Sequence, residues 1–251
     1  MPQGTGFPAV SKIRLYPIKS LNPVEVSEAR IGRTGGLQHD RVWALYASDG
    51  RWINGKHTPA VHFIEARFAA DLGSVDLSIS QAASREGIGP ARATFAFPAD
   101  TAGATQWFSA YFAEPVTVRH SENGFPDDDL APGPTIVSTA SLQAVCSWFP
   151  QISLESARLR FRANLYLEGL APWRELDLVG REIAIGPVRL KVAKAITRCA
   201  AVNVNPSTGV RDLNIPRALE GGIGHANMGV YAEVLSAGEI EPGASCAVAA
   251  A

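Results

Sequence analysis

Between Arg158 and Glu168 the chain alternates without a break: Leu159, Phe161, Ala163, Leu165 and Leu167 hold the odd positions, and Arg158, Arg160, Arg162, Asn164, Tyr166 and Glu168 the even ones. Period two predicts a strand that buries its odd face and sets successive even side chains about 6.6 Å apart. A row of guanidinium groups and an amide suits a phosphate or a carboxylate. A solvent-exposed face that is merely basic fits the same pattern.

Elsewhere turn residues punctuate the pattern at short intervals. Residues 10–16, 24–31, 41–47 and 51–53 read as strands, with Asp49-Gly50 as a hairpin signal between the last two. Shorter strands are expected at 61–68, 75–79 and 93–97, a spacing typical of barrels and sandwiches. Trp107, Phe108, Tyr111 and Phe112 fall at helical spacing and predict a helix over 105–113 with a packed aromatic face. A second helix is expected over 138–149, with Ser138 or Thr139 as its cap and Pro150 beyond its end. Two strands joined at Gly186-Pro187 and a last strand over 228–235 complete the pattern. Residues 121–134, rich in turn formers and acids, predict a long loop near a domain boundary, with units over 8–120 and 121–251. Within it the run Asp127 to Asp129 reads as a solvated loop or lid, because three consecutive carboxylates rarely point at one ion.

Composition narrows the function classes. Of 251 residues 46% are hydrophobic and 19% charged, so the chain can bury a core and is not a disordered or fibrous protein. Net charge is −1 and the pI is near 6.5, so no global cationic field draws it to nucleic acid or anionic lipid, and any anion must be held by a local cluster. Residues 1–10 lack a basic segment followed by an apolar one, and no run of about 18 apolar residues occurs, which leads to the expectation of a cytoplasmic protein without a membrane partner. Cys146, Cys199 and Cys246 are odd in number and widely separated, against a disulfide framework or a zinc site.

Four motifs stand in a fixed order: Tyr16-Pro17-Ile18-Lys19-Ser20, Gly36-Leu37-Gln38-His39-Asp40-Arg41-Val42-Trp43, Arg160-Phe161-Arg162-Ala163-Asn164 and Thr197-Arg198-Cys199. Asn205-Pro206-Ser207-Thr208-Gly209 and Gly229-Val230-Tyr231 follow. Together they resemble the MOSC family in its form with a preceding N-terminal β-barrel, and within it the amidoxime-reducing branch with mitochondrial and bacterial members. The resemblance implies a mainly β (α+β) fold, an N-terminal β-barrel-like domain packed against a C-terminal MOSC β-barrel domain with a few helices. It implies a molybdenum cofactor of the molybdopterin type, with Cys199 as catalytic residue and metal ligand. Lys19, Ser20, Arg41, Arg162, Asn164, Thr197 and Arg198 are then expected to contact the cofactor, with Ser138 and Tyr231 nearby. The implied activity is reduction of N-hydroxylated compounds (hydroxylaminopurines, hydroxylamines, amidoximes). A carrier of the cofactor or of sulfur without turnover of its own is the alternative. The cysteines of an iron–sulfur domain are absent, so electrons are expected from an external protein of the ferredoxin or flavin reductase type.

The sequence departs from the family where Ala163 stands for the usual proline, where Asn205 stands for an acid, and at Leu21-Asn22-Pro23. Softness makes thiolate the fitting side chain for a sulfur-bound metal, and Arg198 beside Cys199 favours the thiolate form. Adjacent residues of a regular strand face opposite ways, so Arg198 and Cys199 serve one pocket only if they lie at a strand end or in a loop. Four cations from distant parts of the chain converging on one phosphate predict a cleft between the two halves.

Overall fold

A computed structural model describes residues 8–32, 36–80, 90–127 and 131–248; Asp128 and Asp129 of the acidic run lie outside them. The first half holds the strands β1 (Ala9–Leu15), β2 (Val24–Val26), β3 (Ala29–Ile31), β4 (Trp43–Ala47), β5 (Ile64–Phe68), β6 (Ser74–Ile79) and β7 (Ala93–Ala96), the helix α1 (Thr101–Phe112) and strand β8 (Val116–His120). The second half runs β9 (Thr135–Ser138), α2 (Thr139–Trp148), α3 (Leu154–Phe161), β10 (Leu165–Glu168), β11 (Glu182–Ile185), β12 (Val188–Thr197), α4 (Ile215–Ile223), β13 (Asn227–Ser236), β14 (Gly238–Ile240) and β15 (Cys246–Val248). The fold is mainly β.

One eight-stranded sheet, in the order β15-β11-β12-β13-β9-β10-β1-β2, forms the larger body. The Val10 N–H donates to Ala244 O at 2.9 Å and the Gly243 N–H to Val10 O at 2.7 Å, so the sheet curls back toward β1 beside β15. Apolar side chains of β1 and β3 share a core with those of β9 to β13: Val10, Ile13, Leu15 and Ile31 pack with Leu165, Val188, Leu190 and Val230. Strands from before residue 120 are thus built into the sheet of the second half. The rest of the first half forms a two-stranded sheet (β4-β8) and a three-stranded sheet (β5-β6-β7) around a separate core that includes Trp43, Leu45, Leu77, Trp107 and Phe108. Helices α2, α3 and α4 cover a third core on Val137, Tyr166 and Met228.

The alternating segment is corrected by the structure. Residues 158–161 finish helix α3, and only Leu165–Glu168 is a strand. Ser153 caps α3 by accepting the Ser156 N–H at 3.1 Å, and Arg162, in the left-handed region at φ 53°, ends it. Leu154, Ala157 and Phe161 recur at three- and four-residue spacing and pack inward together, so the same letters satisfied a helical period as well. Arg158, Arg160 and Arg162 therefore do not form one strand face, although Arg160 and Arg162 both border one cleft. Arg158 lies over the Tyr166 ring, Arg160 pairs with Asp212, and Arg162 turns into a cleft. Residues 24–31 divide into β2 and β3, residues 59–63 form a 3-10 turn ahead of β5, and Trp52 contributes a single bridge to Tyr46 rather than a strand. Helix α4, which takes up Gly221, Gly222 and Ile223, has no counterpart in the elements expected from the sequence.

Candidate functional site

Strand β12 loses its regular register between Ala195 and Thr197, where its pairing with β13 shifts. The Arg198 N–H then donates to Ala226 O at 2.8 Å, and Cys199, extended at φ −105° and ψ 178°, opens a 3-10 turn over Ala200–Asn203. Arg198 and Cys199 thus stand just past the pleated ladder, as the shared-pocket argument requires, and both line one cleft of about 420 Å³. Cys199 is exposed, whereas Cys246 is buried in β15 with burial pushing its thiol up to about 11, and the Cys146 thiol is raised by burial on α2. Among the described residues no group of three or more His, Cys, Asp or Glu side chains could hold a metal ion. A metal here would have fewer than three such protein donors and would need ligands from elsewhere.

Both halves of the chain build the cleft. Lys19, Ser20 and Arg41 come from the first half, and Arg162, Thr197, Arg198, Cys199 and Tyr231 from the second. Ser138 and Asn164 do not line it. Ser138 is fully buried and caps α2 by accepting the Ala140 N–H at 3.2 Å. Asn164 is buried one layer behind: its amide donates to Arg14 O at 3.0 Å, and its oxygen accepts from Thr135 Oγ1 at 2.9 Å and faces Arg41 Nη1 at 3.4 Å. Thr197 donates from Oγ1 to Asn227 Oδ1 at 2.7 Å.

The cations differ in how they are held. Lys19 lies over the Trp52 ring, 3.7 Å from its centroid, and donates to the carbonyls of Phe125 and Pro126 at 2.9 Å each. Arg41 pairs with Asp40 and stacks over Tyr16. Burial alone would lower the Arg41 pKa, but Asp40 and Asp127 outweigh it and raise it. Arg162 lies over the other ring contact of Tyr16 at 4.2 Å and donates to Leu21 O at 3.0 Å; burial, and then Arg41, depress its pKa. Arg198 donates from Nε to Met228 O at 2.7 Å and from Nη1 to Phe161 O at 3.0 Å, while its buried Nη2 has no hydrogen-bond partner among the described residues. Burial lowers that guanidinium to about 10, against the opposing pull of Tyr231 and Glu175. A buried cation with an orphaned donor and a depressed pKa is short of negative charge, and an anionic ligand supplies it.

Three further cleft residues were not singled out by the sequence. Trp52 and His62 lie in stretches read only as strands. Asp127 belongs to the acidic run read as a solvated loop or lid, and it reaches Lys19 Nζ at 3.1 Å and Arg41 Nη2 at 3.2 Å. Burial would raise its pKa, but Arg41 and Lys19 bring it down to about 2. Its signal was present in the four unlinked cations, which need an anion somewhere, but not in its neighbours along the chain.

Residues 7–115 match the MOSC N-terminal beta barrel domain, and residues 135–247 match the MOSC domain. Mitochondrial amidoxime-reducing component 1 of Xenopus laevis is 25% identical over 239 residues, covering 80% of this chain and 67% of that protein. The human protein of the same name is 25% identical over 242 residues, covering 82% and 69%. Human molybdenum cofactor sulfurase is 24% identical over 268 residues, covering 88% of this chain but 29% of its own length. With two matched domains in sequence order and together spanning most of its length, the chain belongs to the MOSC family, in the form that carries a MOSC N-terminal β-barrel domain ahead of the MOSC domain.

Proposed function

We propose that the chain holds a molybdenum cofactor in this cleft, with the Cys199 thiolate as the metal's protein ligand, and that it reduces N-hydroxylated compounds with electrons from a separate redox protein. The observation that carries this is the meeting in one cleft of an exposed cysteine with cations from both halves, one of which, Arg198, has a donor without a hydrogen-bond partner among the described residues. A lone thiolate suits a soft, sulfur-rich centre whose other ligands belong to an organic group. Lys19, Ser20, Arg41 and Arg198 would grip the anionic end of that group, and Asn164 and Tyr16 hold Arg41 and Arg162 from behind. The relatives' names supply the amidoxime and the molybdenum cofactor.

When bound, the cofactor supplies a two-electron centre suited to removing oxygen from nitrogen. The overall reaction consumes two electrons and two protons and yields the reduced nitrogen compound and water. The chain's own part would be to orient the cofactor and to enclose the substrate with the walls formed by Trp52, Val61, His62 and Ile64. The exposure of Cys199 also suits the second reading, a carrier that hands the cofactor or sulfur to another protein.

Protein from a molybdate-supplied, cofactor-competent host is expected to contain molybdenum and, with a chemical reductant, to convert benzamidoxime to benzamidine. Cys199→Ser is expected to lose the metal while Cys146→Ser retains it. Equal molybdenum in both variants would falsify the ligand assignment, and a metal-loaded protein without turnover would leave only the carrier.

A further inference from the structure

The Asp127 carboxylate bridges Lys19 and Arg41 inside the cleft, at 3.1 Å from Nζ and 3.2 Å from Nη2. We propose that this carboxylate is a tethered stand-in for the ligand's phosphate, and that Asp127 determines which anions the Lys19–Arg41 seat accepts by having to be displaced from it. The inference rests on the cofactor reading for the identity of the natural ligand, but not for the seat itself.

Three features make the carboxylate, rather than the cations, the movable part. Lys19 is fixed by two carbonyls and an aromatic face, and Arg41 by Asp40, Asn164 and the Tyr16 ring, so both stay in place when Asp127 leaves. The side chains of Lys19 and Arg41 are 11% and 7% exposed, whereas that of Asp127 is 45% exposed, so it already borders water and is rehydrated as it leaves. Both of its ion-pair partners belong to the cleft, so an anion that replaces it inherits a preformed, largely buried pair of donors.

Selectivity follows from competition. A tethered group acts at an effective concentration in the millimolar range or above. A monoanion offers the seat nothing that the aspartate does not, and must overcome that concentration. A phosphate monoester carries close to two charges and three acceptor oxygens, so it gains more from the same pair of cations. Chloride and small carboxylates are thereby kept out, and a phosphate-bearing ligand is admitted.

The test is calorimetric titration of the full chain, purified free of pterin in Tris buffer near pH 8, with inorganic phosphate and separately with acetate. Asp127→Asn and Asp127→Ala are expected to bind phosphate at least about tenfold more tightly than the wild type and to bind acetate measurably, where the wild type does not. Adding Arg41→Gln to Asp127→Asn should abolish both. Thermal unfolding of each variant identifies those that are folded, and the two substitutions at 127 guard against loss of one. Unchanged or weaker phosphate binding in the folded variants overturns the proposal, since Asp127 would then be a support for the cations and not their occupant. Molybdenum content measured separately keeps the two readings apart: tighter phosphate in the variants with no metal in any preparation upholds the seat and sinks the cofactor.

Discussion

Ser20, His39, Arg41 and Arg162 all sit at φ between 52° and 74°, in the left-handed region that side chains other than glycine seldom occupy. Three of the four line the cleft. Backbone strain of this kind persists only where surrounding contacts enforce it, and here the contacts belong to the cation set. Gly229, at φ 74°, shows the same crowding from the other side: a Cβ there would lie 2.8 Å from Arg198 Nη2 and 2.9 Å from Ile136 O. Gly229→Ala is therefore expected to destabilise the protein by at least ~1 kcal/mol and to push Arg198 off its place. Thermal unfolding checks the first effect. Molybdenum content checks the second, with a deficit in the folded variant as the expected result and a full complement as the outcome that refutes it. The cleft residues themselves were legible as motif positions, because Lys19, Arg41, Arg162, Arg198 and Cys199 carry chemistry in their names. Asp127, Trp52 and His62 were not, since their roles come from neighbours distant in the chain.

At the scale of elements, the turn that carries Cys199 is held by α3. Arg160, whose side chain is fully buried, pairs with Asp212 at 2.8 Å and donates to Asn203 O at 3.0 Å, so it ties the 3-10 turn to the loop that follows. Asn205 also donates to Asp212 at 2.8 Å, and its own carbonyl accepts the Gly209 N–H at 2.8 Å, closing the turn that the Asn-Pro-Ser-Thr-Gly stretch predicts. Replacing Arg160 by methionine keeps most of the packing but removes the guanidinium from the Val202 and Asn203 carbonyls and leaves the partly buried Asp212 carboxylate with Asn205 and no cation. The expected loss is roughly 2–4 kcal/mol. Hydrogen exchange should speed up first at the amides of Val202 and Val204; equal protection in wild type and variant would show that the turn is held by something else. This is also where periodicity failed. Eleven residues alternated perfectly, yet Ser153 supplied a cap and Leu154, Ala157 and Phe161 a helical stripe, and the helix prevailed because that stripe had a core to fill. Strands β6 and β12 were legible because alternation there was bounded by turns and backed by β-branched residues, and β4 because a short apolar, aromatic run ended at the Asp49-Gly50 turn.

At the scale of the molecule, the two halves read from the sequence share one sheet. Strand β1 lies between β10 and β2, and the chain before β15 bonds to its first residues, so the sheet of the second half is completed by residues 9–15. Val10, Ile13 and Leu15 are each at most 3% exposed within that core. Burying such side chains contributes about 1.5–3 kcal/mol each, so three of them together approach the roughly 5–15 kcal/mol by which a domain is stable at all. A fragment of residues 121–251 is accordingly expected to be unfolded by circular dichroism and amide exchange, and to gain structure when a fragment of residues 1–120 is added. The intact chain should unfold in one transition whether followed by far-ultraviolet circular dichroism or by tryptophan fluorescence, since Trp43, Trp52 and Trp107 report on the first half and Trp148 and Trp173 on the second. Two separated transitions, or a folded fragment of residues 121–251, would show that the cleft joins independent units. A cofactor gripped by Lys19 and Arg41 on one side and by Arg198 and Cys199 on the other would then act as a link between them. In the arrangement seen here the shared sheet itself joins the two walls.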